Sequence, residues 1–201
     1  MKSLYDFIIK PIGERYDNEK KVGDKTLVLN TKIESFKSVN NLATVIAIPT
    51  AFNTTILPGD IIVVHHNIFR RFYDMKGREK NSRSYFKDDM YFCAIDQIYL
   101  YKRDEEWLSH MDRCFVKPIA ETSLLSSDKE KPLIGIVKYD NPYLNKLGVE
   151  KDMLITFTPN SEFEFIINDE RLYCMKSNNI AIKHEYQGDE TEYNPSWASS
   201  G

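Results

Sequence analysis

The sequence predicts an all-β protein built from two similar units in tandem. Several apolar segments of the first half recur in the same order in the second half, which is typical of a duplicated unit. The repeated pairs are 7–12 (FIIKPI) and 115–119 (FVKPI), 57–64 (LPGDIIVV) and 149–155 (VEKDMLI), and 90–94 (MYFCA) and 171–175 (RLYCM). Twelve tyrosines and eleven phenylalanines also favour strands. A chain of 201 residues allows about 100 residues for each unit.

Composition narrows the class of protein. The chain is 42% hydrophobic and 28% charged, as in ordinary globular proteins. Its net charge is −3, whereas proteins built mainly to hold nucleic acid carry a large basic excess. Composition alone therefore argues against nucleic acid as a partner.

The cysteines and the N-terminus bear on location. Cys93, Cys114 and Cys174 cannot all pair with one another, and the repeat places Cys93 and Cys174 at equivalent strand positions. A reducing compartment is the simpler interpretation. The apolar runs are too short for a signal peptide or a membrane span, so the sequence predicts a cytoplasmic protein without a membrane partner.

The first unit is predicted to begin with an edge strand over 5–12, because Pro11 and Gly13 stop the run. A polar loop follows from residue 14, and 26–30 (TLVLN) places three apolar residues inside these hydrophilic surroundings. Residues 42–48 then predict a buried strand that ends at Pro49.

The rest of the first unit contains a turn, an insertion and two strands. Residues 57–60 (LPGD) predict a turn that leads into a strand over 61–64. Residues 69–87 form a basic, aromatic-rich insertion with a hairpin tip at Gly77. Its cations are Arg70, Arg71, Lys76, Arg78, Lys80, Arg83 and Lys87. Strands over 90–94 and 98–101 close the unit.

These features predict domain bounds of 1–101 for the first unit and 114–184 for the second, which lacks the basic insertion. Residues 102–113 are the predicted linker, in which 104–108 can begin a helical turn too short to stand alone. The polar residues 185–201, with four acids, are predicted to form a flexible tail.

The order of these features resembles the GroES co-chaperonin family. A first strand with Lys-Pro, a polar loop with an apolar tripeptide, a strand, a Gly-Asp turn and a final hairpin occur in that order. The matching segments are 7–11 (FIIKP), 27–29 (LVL), 43–48 (ATVIAI), 58–62 (PGDII) and 91–95 (YFCAI). The likeness spans residues 5 to 101 and, more faintly, 114 to 183.

This resemblance implies two tandem GroES-like β-barrels and a homo-oligomeric ring that caps a GroEL-type chaperonin to assist folding. The partner would bind and hydrolyse ATP, so no cofactor is expected on this chain. Leu27, Val28 and Leu29, in a mobile loop, would dock on the chaperonin. The second unit offers only Leu124 and Leu125 as a weak counterpart.

Physical reasoning keeps two interpretations of the tripeptide open. Burying each of its side chains contributes about 1.5 to 3 kcal/mol, which ordering a long loop largely offsets. Several loops on one ring would turn weak contacts into avidity. The alternative is a strand packed within this protein's own barrel.

Other candidate sites are weaker. His65 and His66 follow a strand, where neighbouring side chains point to opposite faces, so no metal site is predicted. The sequence contains neither a nucleophile elbow nor a glycine-rich phosphate loop, and we expect no enzyme activity.

The basic insertion and the departures from the family leave alternatives open. Cations interleaved with aromatics can stack bases and neutralise phosphates, although a solvated hairpin has the same composition. The family places a hairpin before the Gly-Asp turn, where this chain has only 50–56. These departures favour a second hypothesis, a structural or assembly protein, for example of a virus particle, that uses GroES-like barrels as building blocks.

Overall fold

A computed structural model describes residues 2–16, 19–22, 25–28, 39–121, 129–185 and 188–198, but not the side chains of 19–22, 25–28 and 197. The chain divides into two compact units, Met1–Glu106 and Trp107–Gly201. The division falls inside the segment 102–113 that the sequence predicted as the linker.

The fold is all-β, as predicted. The strands are β1 (Phe7–Pro11), β2 (Glu19–Val22), β3 (Lys25–Val28), β4 (Leu42–Ala47), β5 (Ile61–Val64), β6 (Phe72–Tyr73), β7 (Glu79–Lys80), β8 (Tyr85–Lys87), β9 (Met90–Cys93), β10 (Ile98–Arg103), β11 (Glu106–Ser109), β12 (Arg113–Ala120), β13 (Glu130–Tyr139), β14 (Leu154–Phe157), β15 (Phe163–Ile167), β16 (Glu170–Lys176) and β17 (Ile180–His184). The single α-helix of the described residues, α1, is Pro142–Lys146. Over those same residues, the structure contains no helix that is long and apolar enough to cross a membrane.

The two units have the same strand order. One sheet runs β11-β10-β5-β4-β1-β9-β8 and the other β15-β16-β12-β13-β14-β17. Apart from β11, the second order read in reverse is the same as the first, with β1 matched to β12, β4 to β13 and β9 to β16. All recorded pairings within these sheets are antiparallel. The repeat seen in the sequence is therefore a repeat of topology.

Strand register fixes which residues are equivalent. Ile9 pairs with Val45 and Tyr91, and in the second unit Val116 pairs with Val137 and Tyr173. Both pairings follow a β-bulge at the same place, between Ile8 and Ile9 and between Phe115 and Val116. A bulge adds one unpaired residue and re-aims the chain, so its recurrence keeps the same positions facing inward.

This register corrects the predicted equivalence of two cysteines. Because Tyr91 corresponds to Tyr173, Cys93 corresponds to Met175, and Cys174 corresponds to Phe92. The sequence match was one residue out of step because it aligned identical residue types rather than inward-facing positions. Successive side chains of a strand point to opposite faces of the sheet, so a shift of one residue moves each side chain to the other face.

The turn before β5 and β14 shows the same displacement. Gly59, with φ 95°, donates its N–H to Val45 O at 2.8 Å, and Asp152, with φ 65°, donates to Val137 O at 2.8 Å. Gly59 therefore corresponds to Asp152, whereas the sequence aligned Asp60 with Asp152. Both positions require a left-handed backbone conformation, which glycine adopts freely and aspartate tolerates.

The prediction that the first strand lies at a sheet edge is wrong. β1 lies between β4 and β9. The Ile12 N–H donates to Leu42 O on the β4 side. The backbone nitrogen of Pro11, which carries no hydrogen, therefore faces the β9 side. Pairing with β9 covers only Phe7 to Ile9. Proline is tolerated here because that side of the ladder has already ended.

The predicted linker also differs from expectation. β10 extends to Arg103, and β11 begins at Glu106. Asp104 and Glu105 both have positive φ, 48° and 67°, as in a two-residue turn between strands. A helical turn over 104–108 would require negative φ at these positions, so that expectation is wrong.

Each unit has its own apolar core. In the first unit Phe7, Ile9 and Tyr91 pack with the inward residues of β4 and β5. In the second unit Val116 and Val137 pack with neighbouring buried residues to form a separate core. Both cores follow the alternation that β-strands impose on side chains.

The segment predicted as a flexible tail is ordered over part of its length. Thr191 O accepts a hydrogen bond from Ala120 N at 2.7 Å, and Tyr193 N donates to Pro118 O at 2.9 Å. These bonds add an antiparallel bridge beside β12, centred on Ile119. The described residues 188–198 therefore belong to the second unit.

The bridge buries an apolar side chain. Ile119 is 1% exposed, whereas Ile12, at the corresponding position after β1, is 38% exposed. Lys117 Nζ also lies 2.6 Å from Glu192 Oε1. The polar composition of 185–201 concealed this packing because the backbone, rather than apolar side chains, makes the pairing.

We expect Gly135→Ala to destabilise the protein by about 1 to 3 kcal/mol. A Cβ at Gly135 would lie under 3.0 Å from Lys117 O and from Val116 Cγ1, and the first of these is backbone that cannot turn aside. The free energy of unfolding in urea measures the effect. Lys131→Ala, on the exposed surface of the same strand, is the control and should change it by less than about 0.5 kcal/mol.

We expect Tyr193→Pro to accelerate hydrogen exchange at the Ala120 amide, because loss of the Tyr193 N–H weakens the bridge. Tyr193→Ala keeps that donor and is the control. Exchange followed residue by residue by NMR checks the result. Equal protection of Ala120 in both variants would show that the bridge does not form in solution.

Candidate docking site

The first unit has a long excursion between β1 and β4 whose base is closed. Tyr16 and Val39 form an antiparallel bridge, and Asn40 N donates to Arg15 O at 3.0 Å. The Asn40 side-chain amide donates to Ile12 O at 2.6 Å and to Glu14 O at 3.0 Å. Tyr16 and Val39 are both buried in the core. We call these paired residues, Tyr16 and Val39, the neck.

The excursion contains a small two-stranded sheet of its own. β2 pairs with β3 so that Lys20 faces Leu27 and Glu19 faces Val28. Leu27 and Val28, predicted in a loop without regular structure, are therefore strand residues. Their side chains and the whole of Leu29 lie outside the described residues. The docking role of the tripeptide stays a prediction.

The second unit closes the corresponding segment more tightly. Glu121 N donates to Lys129 O at 2.8 Å, so only residues 122–128 lie between the closing pair. In the first unit 22 residues lie between Tyr16 and Val39. Leu124 and Leu125, the weak counterpart of the tripeptide, lie outside the described residues.

The basic insertion contains the predicted hairpin. β6 and β7 pair, with Phe72 opposite Lys80 and Tyr73 opposite Glu79. Gly77, with φ 72°, lies in the turn between them. The turn is held by Asp74, whose Oδ1 accepts from the N–H groups of Lys76 and Arg78, both at 2.9 Å. The prediction of a hairpin tip at Gly77 is confirmed.

Six cations of the insertion, Arg70, Arg71, Lys76, Arg78, Lys80 and Arg83, are candidates for a basic binding surface, and they fall into two groups. Exposed are Lys76, Arg78, Lys80 and Arg83, whereas Arg70 and Arg71 are half-buried. Arg71 Nε lies 3.4 Å from Glu79 Oε1, and Lys80 Nζ lies 3.7 Å from Asp74 Oδ2. The guanidinium of Arg70 lies 5.7 Å from the centre of the Phe72 ring. The insertion is thus a mixed surface with cations in excess.

The neck and the basic insertion are joined. Arg71 N donates to Tyr16 Oη at 2.6 Å, and the Arg71 guanidinium lies 4.9 Å from the Tyr16 ring centre. Arg15 reaches Phe69 O at 2.8 Å and Asn81 Oδ1 at 2.9 Å. The excursion and the basic insertion, which are separate in sequence, therefore contact each other where they leave the sheet.

Sequence reasoning missed Arg15 and Tyr16 because both fell inside a stretch interpreted as polar loop. The available signal was Tyr16 itself, an aromatic residue among polar neighbours. Its ring is buried, and its hydroxyl accepts the Arg71 N–H, as buried tyrosines usually require. The cation of Arg15 also lies 5.4 Å from the Tyr91 ring centre. Burial raises the pKa of Tyr91 to about 12.

The two adjacent histidines differ from expectation. Their rings stack with centres 4.4 Å apart, rather than pointing to opposite faces. β5 ends at Val64, and a 3₁₀ turn begins at His66, so strand alternation no longer applies. His65 Nδ1 accepts from Asn67 N at 3.1 Å. Within the described ranges, no three His, Cys, Asp or Glu side chains are grouped to hold a metal ion.

The cysteines are buried and form no disulfide. Burial raises the pKa of the Cys114 thiol to about 12 and holds the pKa values of Cys93 and Cys174 well above the ordinary range. A nucleophilic cysteine needs its thiolate form near neutral pH. These three thiols therefore act as packing groups.

No protein-family model matches the chain, and no curated protein sequence matches it at a significant level.

We expect His66 to make stability depend on pH between about 6.5 and 4. Burial, followed by the charges of His65 and Arg70, lowers the pKa of His66 from 6.5 to about 4. A depressed folded-state pKa means that the unfolded chain binds the proton first, so stability is full above pH 6.5 and falls towards pH 4. Urea unfolding at several pH values, compared with His66→Gln, isolates this contribution. The two proteins would show the same pH dependence if His66 titrated normally.

Proposed function

We propose that the protein is a tandem-domain co-chaperonin that docks on a GroEL-type chaperonin through the excursion carrying Leu27, Val28 and Leu29. The observation that carries the proposal is the position of this excursion. It leaves the sheet between β1 and β4, is closed at Tyr16 and Val39, and forms a separate sheet from the core. An apolar triplet on such an extension can reach a partner without disturbing the unit that bears it.

The asymmetry of the two units supports a single docking segment per chain. The corresponding segment of the second unit spans only 122–128, less than a third of the length of 17–38. A short segment closed by Glu121 and Lys129 offers little reach. We therefore assign docking to the first unit and a scaffold role to the second.

Energetics favour use of this segment in an assembly. Burial of three apolar side chains contributes about 5 to 9 kcal/mol at most, and ordering the segment offsets much of it. One chain would bind weakly and release readily. A homo-oligomeric ring would present several copies at once and gain affinity by avidity.

The proposal carries the finer assignments that the resemblance implies. Each unit is a GroES-like β-barrel, the protein acts in the cytoplasm, and the chaperonin, rather than this chain, binds ATP. The chain itself needs no cofactor and performs no catalysis.

A structural or assembly protein, for example of a virus particle, is the second candidate. The observation that favours it is that the two sheets have the same strand order but carry connecting segments of unequal length. Between β5 and β8 lie 20 residues, whereas between β14 and β15 lie five. Finding the chain as a stoichiometric component of purified particles, with no affinity for a chaperonin, would favour this candidate over the first.

We expect Val28→Asp to abolish co-sedimentation with a GroEL-type chaperonin in the presence of nucleotide, because a buried carboxylate opposes docking in an apolar groove. Ile182→Asp, on an exposed position of β17, is the matched control and should bind like the natural chain. Circular dichroism confirms that both variants fold. Lack of a complex with the natural chain, or equal binding by Val28→Asp, would contradict the proposal.

A further inference from the structure

The positive charge of the first unit is concentrated in the basic insertion. Residues 70–87 contain seven cations and two carboxylates, a net charge of +5. The chain as a whole carries −3, so the other 183 residues carry −8. The overall charge, which argued against a nucleic-acid partner, therefore hides a local excess of the opposite sign. Attraction of an anion depends on the local potential rather than on the total charge.

Several of these cations are available to a partner. Over the described part of the chain, no carboxylate lies within ion-pair distance of Arg70, Lys76, Arg78 or Arg83. Lys76, Arg78 and Arg83 are also exposed. Placing unpaired cations together on one short insertion costs free energy through repulsion, which a bound polyanion would relieve.

Exposed aromatic rings accompany these cations. Phe72 is 44% exposed and Tyr73 is 53% exposed, although both lie in β6. Phe72 has Arg70 beside its ring and Lys80 opposite it across the hairpin. Because the Arg70 guanidinium lies over one face of the Phe72 ring, a flat base would stack on the other face, with both cations nearby for its phosphates.

The hairpin holds this surface in place at its base. Ser82 Oγ donates to Ile68 O at 2.5 Å, and Ser82 is itself buried. Arg15 adds bonds to Phe69 O and to Asn81. The second unit has only residues 158–162 at this place, so the surface is specific to the first unit.

We propose that the basic insertion is a binding surface for single-stranded nucleic acid, with Phe72 and Tyr73 stacking bases and Arg70, Arg78 and Arg83 contacting phosphates. Stacking on aromatic rings combined with backbone neutralisation gives binding with little sequence preference. Single strands are favoured over duplex because stacking requires unpaired bases. This surface acts independently of chaperonin docking, and its test needs no chaperonin.

The test is fluorescence anisotropy of a labelled oligothymidine of about 20 nucleotides, long enough to span the insertion, with the full chain at about 25 mM salt. We expect Phe72→Ala to weaken binding by about fivefold to a hundredfold without changing the salt dependence. Arg78→Ala combined with Arg83→Ala should lower the slope of log K against log salt by about 1.4, or about 0.7 for each cation.

Phe163→Ala, at an exposed aromatic position of β15 in the second unit, is the matched control and should leave binding unchanged. Tyr73→Ala provides a second stacking variant if Phe72→Ala does not fold. The absence of any oligothymidine binding at low salt would overturn the proposal. Equal affinity for a duplex of the same length, with no effect of either aromatic substitution, would also overturn it and leave a surface for anions in general.

Discussion

The antiparallel pairing of the first strand of each unit with two neighbours is the constraint on which the rest of the structure depends. β1 and β12 each join two halves of a sheet, and the pairing of each with the following sheet strand, β4 or β13, has a bulge at the same position. The bulge decides which side chains of the following residues face the core, and therefore which residues of the two partner strands must be apolar. Everything attached to the sheet starts from strand ends that this register has already fixed.

On this shared frame the two units are elaborated differently. The first carries both long additions, the excursion 17–38 and the basic insertion, and these meet at Arg15, Tyr16 and Arg71. The second uses the chain's described C-terminal residues to cover the edge of β12. Duplication of a β unit followed by unequal growth of its loops is a common way to place function on a preserved scaffold, since loops tolerate insertion better than strands.

Much of the fold could be predicted from the sequence, because apolar runs bounded by Pro, Gly and Asp indicate strands directly. The turn at Gly59, the hairpin tip at Gly77 and the positions of most strands of the first unit follow from local chemistry. The one-residue displacement at Cys174 could not be predicted, because register depends on partners distant in sequence. Tyr16 was missed for the same reason, since its partners are Val39 and Arg71. The polar residues around Tyr193 gave no sign of backbone pairing.

The closure of the excursion at Tyr16 and Val39 has a consequence for how such a protein can change. In each unit a backbone hydrogen bond helps to close the segment after the first strand, from Asn40 N to Arg15 O in one and from Glu121 N to Lys129 O in the other. Lengthening a closed loop costs only about 0.6 kcal/mol per doubling. The segment can therefore be replaced, by exchange between units, between related proteins or by design, while the supporting sheet stays the same.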